Sequence, residues 1–148
     1  MTTATALPDP IRQPEFYADI PLKRGLAFVV DFLLIAVLCV VILPFTAFTG
    51  LFFFPFLMLV TGFIYRIVTL ANGSATLGMR LMGMEFRTAT GARFDLSMAL
   101  LHTLGFYLSI SFFLAQLASI VMMLTSPTAQ GLTDRALGTF ALNRRAGQ

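Results

Sequence analysis

The stretch that decides the fold is RGLAFVVDFLLIAVLCVVIL, residues 24–43, an apolar run interrupted by Asp31. Asp31 is the only charged residue between Gly25 and Tyr65. A carboxylate inside an apolar segment of this length costs about 3 kcal/mol on insertion scales unless it is neutralised or paired. Asp31 is therefore a candidate functional residue, and the identity of its partner is the central question.

The composition points to a membrane protein. The chain has 148 residues, of which 57% are hydrophobic and 11% are charged, whereas soluble domains average about 25% charged residues. The net charge of +3 comes from ten basic residues that lie mainly in the tails and the central loop. Basic residues in such places are typical of contact with anionic lipid headgroups, so we expect the lipid bilayer, and no nucleic acid, as partner.

The apolar segments predict an all-α membrane protein of one domain. The first span ends before Pro44, and nineteen helical residues cover about 28 Å, enough to cross a hydrocarbon core. The first two spans then form an antiparallel transmembrane helical hairpin, followed by a third hydrophobic helix. The predicted organisation is a polar tail over 1–22, a membrane domain over 23–143 with spans at 25–43, 51–70 and 97–124, and a basic C-terminal tail over 144–148.

The third hydrophobic region leaves two topologies open. Its length exceeds one straight crossing but is too short for two. If the three basic segments are all cytoplasmic, the number of crossings is even and the region must dip in and return as a re-entrant hairpin. Alternatively, an interfacial helix over 96–105 carries His102 and one crossing follows, which places the C-terminus outside. We favour the second, because a chain reversal at membrane depth needs protein cover.

The loop over 71–95 carries the signal for a short cytoplasmic β-hairpin. The segments MEFRT and ARFD flank Ala89-Thr90-Gly91, where the glycine can supply the positive φ angle of a tight turn. We therefore predict a β-hairpin over 82–94.

Charge placement predicts an ion pair inside the membrane. Asp31 lies about six residues inside the first helix and Arg66 lies about four residues before the end of the second, so both have similar depth. We expect an Asp31–Arg66 pair across the hairpin. Asp31 is interpreted either as structural glue or as a protonatable group on a cation path. A wider charge cluster is predicted at one membrane face: Arg24, Asp31, Arg66, Arg80 and Asp134.

Two other residues receive modest interpretations. His102 is expected to contact a headgroup or the backbone from its interfacial helix, although an imidazole titrates near neutral pH. Thr133 is expected to be the N-cap of a helix, with Asp134 supporting the first turn. We expect no metal, no cofactor and no enzyme activity, because no spacing of ligands, nucleophile or base is apparent.

Three ordered blocks resemble the RDD family of membrane proteins, named for one arginine and two aspartates. They are YADIPLKRGLAFVVD (17–31), TLGMRLMGMEF (76–86) and GLTDRALGT (131–139). The resemblance maps the signature onto Arg24, Asp31 and Asp134, with Arg66, Arg80 and His102 as possible supporting residues. Two positions depart from the family pattern: Met79 replaces a basic residue, and Thr133 replaces a histidine.

The resemblance implies a multi-pass protein of the cell membrane, in bacteria the inner membrane, and a link to ion transport. We expect transport-related activity, such as cation or proton exchange, in a homo-oligomer or with other membrane proteins, because so few helices enclose little volume. The alternative is a non-transporting accessory or scaffold protein that docks partners through the 71–95 loop.

Overall fold

The computed structural model describes residues 7–143, so the basic tail predicted over 144–148 lies outside the described residues. The helices are α1 (Ile20–Ile42), α2 (Phe54–Gly73), α3 (Leu77–Leu81), α4 (Leu96–Ser111), α5 (Phe113–Thr125) and α6 (Leu132–Leu137). The strands are β1 (Met84–Thr88) and β2 (Thr139–Asn143). Short 3-10 turns occupy Pro14–Phe16, Leu43–Thr46 and Thr49–Leu51. The predicted helical membrane architecture is confirmed.

Helices α1 and α2 form the transmembrane hairpin. Their 23 and 20 residues extend about 34 and 30 Å, which matches the thickness of a bilayer core. Proline begins each helix within its first two positions, and Ser74 ends α2 in a left-handed conformation. Large apolar side chains such as Leu33, Val37 and Phe56 remain 58, 61 and 67% exposed. This apolar surface identifies the lipid-facing side of the hairpin.

Helices α4 and α5 reverse direction at Phe112, where the chain bends by 115°. Their 16 and 13 residues reach only about 24 and 20 Å, so neither crosses a bilayer alone. The side of the next segment is fixed by the sheet, because β2 pairs with β1. The number of crossings between the two strands is therefore even, and α4–α5 is a re-entrant hairpin. The favoured interfacial helix with a single crossing is wrong.

The sheet is antiparallel and pairs strands from distant parts of the chain, with Phe86 opposite Ala141. The predicted β-hairpin over 82–94 is wrong in its second strand. Gly91 does make the expected turn with a φ of 82°, but Phe94 is buried and stacks on Phe86 at 5.2 Å. Asp95 then caps α4 by accepting a hydrogen bond from the Met98 amide at 2.8 Å. In the segment ARFD, Phe94 packs in the core and Asp95 caps α4, so this segment does not form a strand. β1 therefore pairs with β2.

The first and last segments of the described chain meet at this sheet. The Lys23 ammonium donates to the Asn143 side chain at 2.7 Å, and the Asn143 amide donates to the carbonyls of Glu15 and Ala18. We call the membrane side that carries β1, β2 and the start of α1 the sheet side.

The re-entrant topology predicts that Arg93 and Arg135 lie on one side of the membrane and Phe48 on the other. In a Cys39→Ser background, we expect Arg93→Cys and Arg135→Cys to react with an impermeant maleimide from the same side of sealed vesicles. Phe48→Cys, in the exposed turn between α1 and α2, serves as the opposite-side control. Labelling of Arg135→Cys together with Phe48→Cys would contradict the re-entrant hairpin.

Candidate functional site

Asp134 lies in the first turn of α6 and its side chain is fully buried. Its carboxylate accepts hydrogen bonds from the Gly131 amide at 3.1 Å, the Thr139 hydroxyl at 2.9 Å and His102 Nε2 at 2.8 Å. The Arg24 guanidinium also donates to it as an ion pair. These four donors come from α1, α4, the N-cap of α6 and β2, so one carboxylate links the start of α1 to β2. We call Arg24, His102 and Asp134 the Asp134 cluster.

The charge on Asp134 is stable against protonation. Burial by itself raises the pKa of a carboxyl group, but the Arg24 cation and the His102 hydrogen bond together hold the pKa of Asp134 below its usual range. A lowered pKa in the folded state contributes stability above the unfolded pKa, and that stability is lost only as pH falls through the folded value. The cluster therefore keeps its charge throughout the physiological pH range.

His102 lies in the protein core, and the prediction of a headgroup contact is wrong. Its side chain is 1% exposed, and its ring centroid lies 4.4 Å from that of Phe86 and 5.5 Å from that of Phe94. Since an ionised carboxylate only accepts, Nε2 must carry the proton toward Asp134. Nδ1 is buried and has no hydrogen-bond partner among residues 7–143. The partner was hidden from sequence reasoning because 32 residues separate the two side chains.

Asp31 is buried, and protein donors engage both of its carboxylate oxygens. Its carboxylate accepts hydrogen bonds from the Tyr65 hydroxyl at 2.6 Å, the Thr76 hydroxyl at 2.6 Å and the Gly78 amide at 2.9 Å. Thr76 in turn caps α3 by accepting from the Met79 amide at 3.2 Å. Asp31 thus anchors the first turn of α3 to α1. We call Asp31, Tyr65, Thr76 and Gly78 the Asp31 cluster.

The Asp31 cluster explains why a glycine stands at position 78. A Cβ there would lie 2.8 Å from the Asp31 carboxylate oxygen and would also press against the Ala27 carbonyl. Only glycine lets the α3 backbone approach the carboxylate closely enough for the amide to donate.

Arg66 does not form the predicted ion pair with Asp31. In the part of the chain that the structure describes, the ion pairs join Arg24 or His102 to Asp134 and Arg87 to Glu85. The donors of the Asp31 cluster occupy the carboxylate, so Arg66 instead lies with its guanidinium carbon 3.9 Å from the Phe106 ring centroid. The hydroxyls of Tyr65 and Thr76 and the Gly78 amide donate to Asp31, where an arginine was predicted to do so. Sequence spacing does not reveal such donors.

The predicted five-member charge cluster is only partly formed. Arg24 meets Asp134, and Arg66 lines the same small cavity as Asp31. Arg80 is exposed and lies over Gly73, away from both carboxylates. The N-cap of α6 is Gly131, two residues before the expected Thr133, because the Asp134 side chain itself takes up the Gly131 amide. Thr133 packs against Gly105 instead.

The largest described cavity at the cluster has a volume of about 690 Å³ and lies between α1 and the re-entrant hairpin. Arg24, His102 and Asp134 stand at its wall, together with Ser109 and Gln116 from α4 and α5. Among residues 7–143, no group of three or more His, Cys, Asp or Glu side chains is arranged to hold a metal ion.

A family model of the RDD family matches residues 20–138. The chain belongs to the RDD family. Comparison with curated proteins and with solved structures gives no significant match. In this RDD protein the three signature residues have distinct positions: Arg24 pairs with Asp134, and Asp31 holds the T76-L-G78 turn. The signature residues of α1 thus make two separate contacts, from positions about two helical turns apart.

We expect Asp134→Ala to unfold this RDD protein readily, because it removes the partner of the partly buried Arg24 cation and of the buried His102 Nε2. Loss of one member of a buried pair costs about 3–5 kcal/mol. The free energy of unfolding in mixed micelles measures the effect. Arg135→Ala, at an exposed neighbour with no ion pair among the described residues, is the control and should change stability by less than about 0.5 kcal/mol. Equal losses in both variants would contradict the assigned role.

Gly78→Ala should destabilise the protein by about 1–3 kcal/mol, because the added methyl group must displace α3 from Asp31. Gly25→Ala is the matched control, since a Cβ at position 25 meets nothing within 4 Å. Thermal unfolding in detergent compares the two. A melting temperature for Gly78→Ala equal to that of Gly25→Ala would show that the close approach is dispensable.

Proposed function

We propose that this RDD protein is a non-enzymatic membrane accessory or scaffold protein of the cell membrane, with its sheet side in the cytoplasm. The observation that carries the proposal is that protein donors engage both oxygens of both signature carboxylates. Asp31 has three donors and Asp134 has four, all from the same chain. The four donors occupy the acceptor positions of Asp134, and the three donors of Asp31 tie both of its oxygens to neighbouring elements of the fold. The role of both carboxylates is to fix the relative positions of helices.

The charge distribution supports the cytoplasmic side. Arg80, Arg93 and Arg135 are exposed near the sheet, and none forms an ion pair with another residue in the described range 7–143. The positive-inside bias places such residues in the cytoplasm, where anionic headgroups are their partners. In a bacterium this membrane is the inner membrane.

The 71–95 loop supplies the docking surface of the proposal. Leu81 is 70% exposed and stands next to the exposed Arg80. Protein interfaces have an apolar core and a polar rim, and an apolar side chain beside an unpaired cation offers one element of each. The α3 segment is held rigidly by the Asp31 cluster, so this surface is preorganised for a partner.

The re-entrant apex supports assembly with a second copy. Phe112 and Phe113 are 65 and 74% exposed at the point where the helical backbone breaks. Backbone that leaves a helix at membrane depth requires protein cover. A second copy of the chain packed against the apex would provide that cover.

Cation or proton exchange in an oligomer is the second candidate. The cavity of about 690 Å³ favours it, since Ser109, Gln116 and Ser119 line the cavity together with the Asp134 cluster. In that mechanism, Asp134 or Asp31 must exchange a protein donor for the transported ion.

Reconstituted proteoliposomes distinguish the two functions. We expect the purified protein to dissipate a sodium or pH gradient no faster than protein-free liposomes, with an ionophore as the positive control. Asp31→Asn should lower the amount of inserted protein, because the amide nitrogen of asparagine donates and cannot accept the hydrogen bonds that one carboxylate oxygen accepts. Gradient dissipation by the wild type that disappears in an equal amount of inserted Asp31→Asn protein would overturn the scaffold proposal in favour of exchange.

A further inference from the structure

The Arg66 guanidinium is a buried cation without a hydrogen-bond partner in the described chain. The residue is 9% exposed, and its Nε is buried and unpaired. Its one described contact of note is with the face of Phe106. A guanidinium has five N–H donors, and a ring face satisfies none of them. Buried polar groups of native proteins have partners, so this side chain lacks an acceptor.

The acceptor is not supplied by the carboxylates near it. Asp31 lines the same space, but its oxygens accept from Tyr65, Thr76 and Gly78. Arg24 also faces the gap of about 50 Å³ that leads from Arg66 toward the sheet side, and it is paired with Asp134. A cation would meet two guanidinium groups here, together with a carboxylate whose two oxygens already accept hydrogen bonds. The site therefore suits an anion.

Arg66 stands in a cavity of about 230 Å³ between α1, α2 and α4. Asp31 and Tyr107 line it as well, and the other walls are apolar and include Ile35, Met58 and Ile110. Phe32 and Leu59 also line the cavity, and they are 52 and 51% exposed on the lipid-facing surface. The cavity thus has one polar wall, formed by Arg66, Tyr107 and the Asp31 carboxylate with its own donors, and it leads through apolar side chains to the lipid.

A second donor stands one helical turn from Arg66. The Tyr107 hydroxyl lines this cavity, and no hydrogen bond of it is formed within residues 7–143. Gly62 makes room for it, because a Cβ at position 62 would lie 2.6 Å from the hydroxyl oxygen. Gly62 and Arg66 are four residues apart and lie on the same face of α2. A guanidinium and a hydroxyl on one face match a single anionic headgroup.

We propose that Arg66 and Tyr107 bind the anionic headgroup of a membrane amphiphile, whose acyl chain lies along the apolar walls and leaves between Phe32 and Leu59. A fatty carboxylate and a lipid phosphate present the same chemistry to these donors. This binding is independent of the scaffold or exchange function proposed above, since it uses neither signature carboxylate.

The experiment measures equilibrium binding to the full chain in neutral detergent micelles. The probes are palmitate, its methyl ester and phosphatidic acid. We expect an anionic probe to bind about tenfold or more tightly than the methyl ester, because only the anion forms charge-assisted hydrogen bonds with Arg66. Binding by palmitate identifies a fatty carboxylate, and binding by phosphatidic acid alone identifies a lipid phosphate.

Variants locate the site. Arg66→Gln should abolish the preference for the anion, and Tyr107→Phe should weaken binding about threefold, the loss of one hydrogen bond. Arg87→Gln removes an arginine that is paired with Glu85 on β1 and that lies outside the cavity lining, and it should leave binding unchanged. Equal affinity for palmitate and its ester, or an anion preference that survives Arg66→Gln, would overturn the proposal.

A wild-type measurement covers the case in which Arg66→Gln fails to fold. A palmitate analogue with a photoreactive diazirine in its chain should label cavity residues such as Ile35 and Met58. Labelling confined to lipid-facing Leu33 and Val37 would show that the chain remains in the bulk lipid and would overturn the proposal.

Discussion

The structure depends on the need to satisfy a fully buried carboxylate, that of Asp134. Its donors come from the first helix, the re-entrant hairpin, the α6 cap and the last strand. Each donor also loses water when the protein folds, so an arrangement that leaves one of them unmatched is costly. The relative positions of α1, α4 and β2 are therefore coupled through a single side chain. Hydrophobic burial cannot supply such a constraint in lipid, where apolar surfaces have no preference for one another.

Asp31 solves the corresponding problem deeper in the hairpin with neutral donors. Two hydroxyls and one amide surround it, and the turn that supplies two of them is shaped by Thr76 and Gly78. Arg66, at the same depth, is left to an aromatic ring and a cavity. Met79, which departs from the family pattern, is buried and lines the gap of about 50 Å³ between Arg24 and Arg66. A basic residue at position 79 would bring another cation to the space that Arg66 and Arg24 line.

The sequence predicts the helical spans well because span length and apolar composition are local properties. The α1–α2 hairpin and the importance of Arg24, Asp31 and Asp134 could all be read from the chain. The pairing of β1 with β2 could not, because ARFD has strand-like composition and only the burial of Phe94 disqualifies it. The partners of the charges were equally hidden. His102 contacts Asp134 from a separate helix, and Tyr65 and Thr76 replace Arg66 at Asp31. The three basic segments did indicate the re-entrant topology, because placing all three on one side requires an even number of crossings, but the cost of a chain reversal at Phe112 was given too much weight.

The contacts that the start of α1 makes with α6 and β2 have a consequence for biogenesis. Arg24 enters the membrane with α1, and its partner Asp134 follows 110 residues later. Throughout synthesis, α1 must therefore hold a cation whose native partner does not yet exist, and interfacial phosphates are its available substitute. The separation is larger still for Lys23, whose partner Asn143 is synthesised 120 residues later. Contacts of such separation form late and slowly. The half-made protein is consequently a distinct species, with an open edge on β1 and an unfilled place for α6, and it is the form that membrane proteases and insertion factors encounter first.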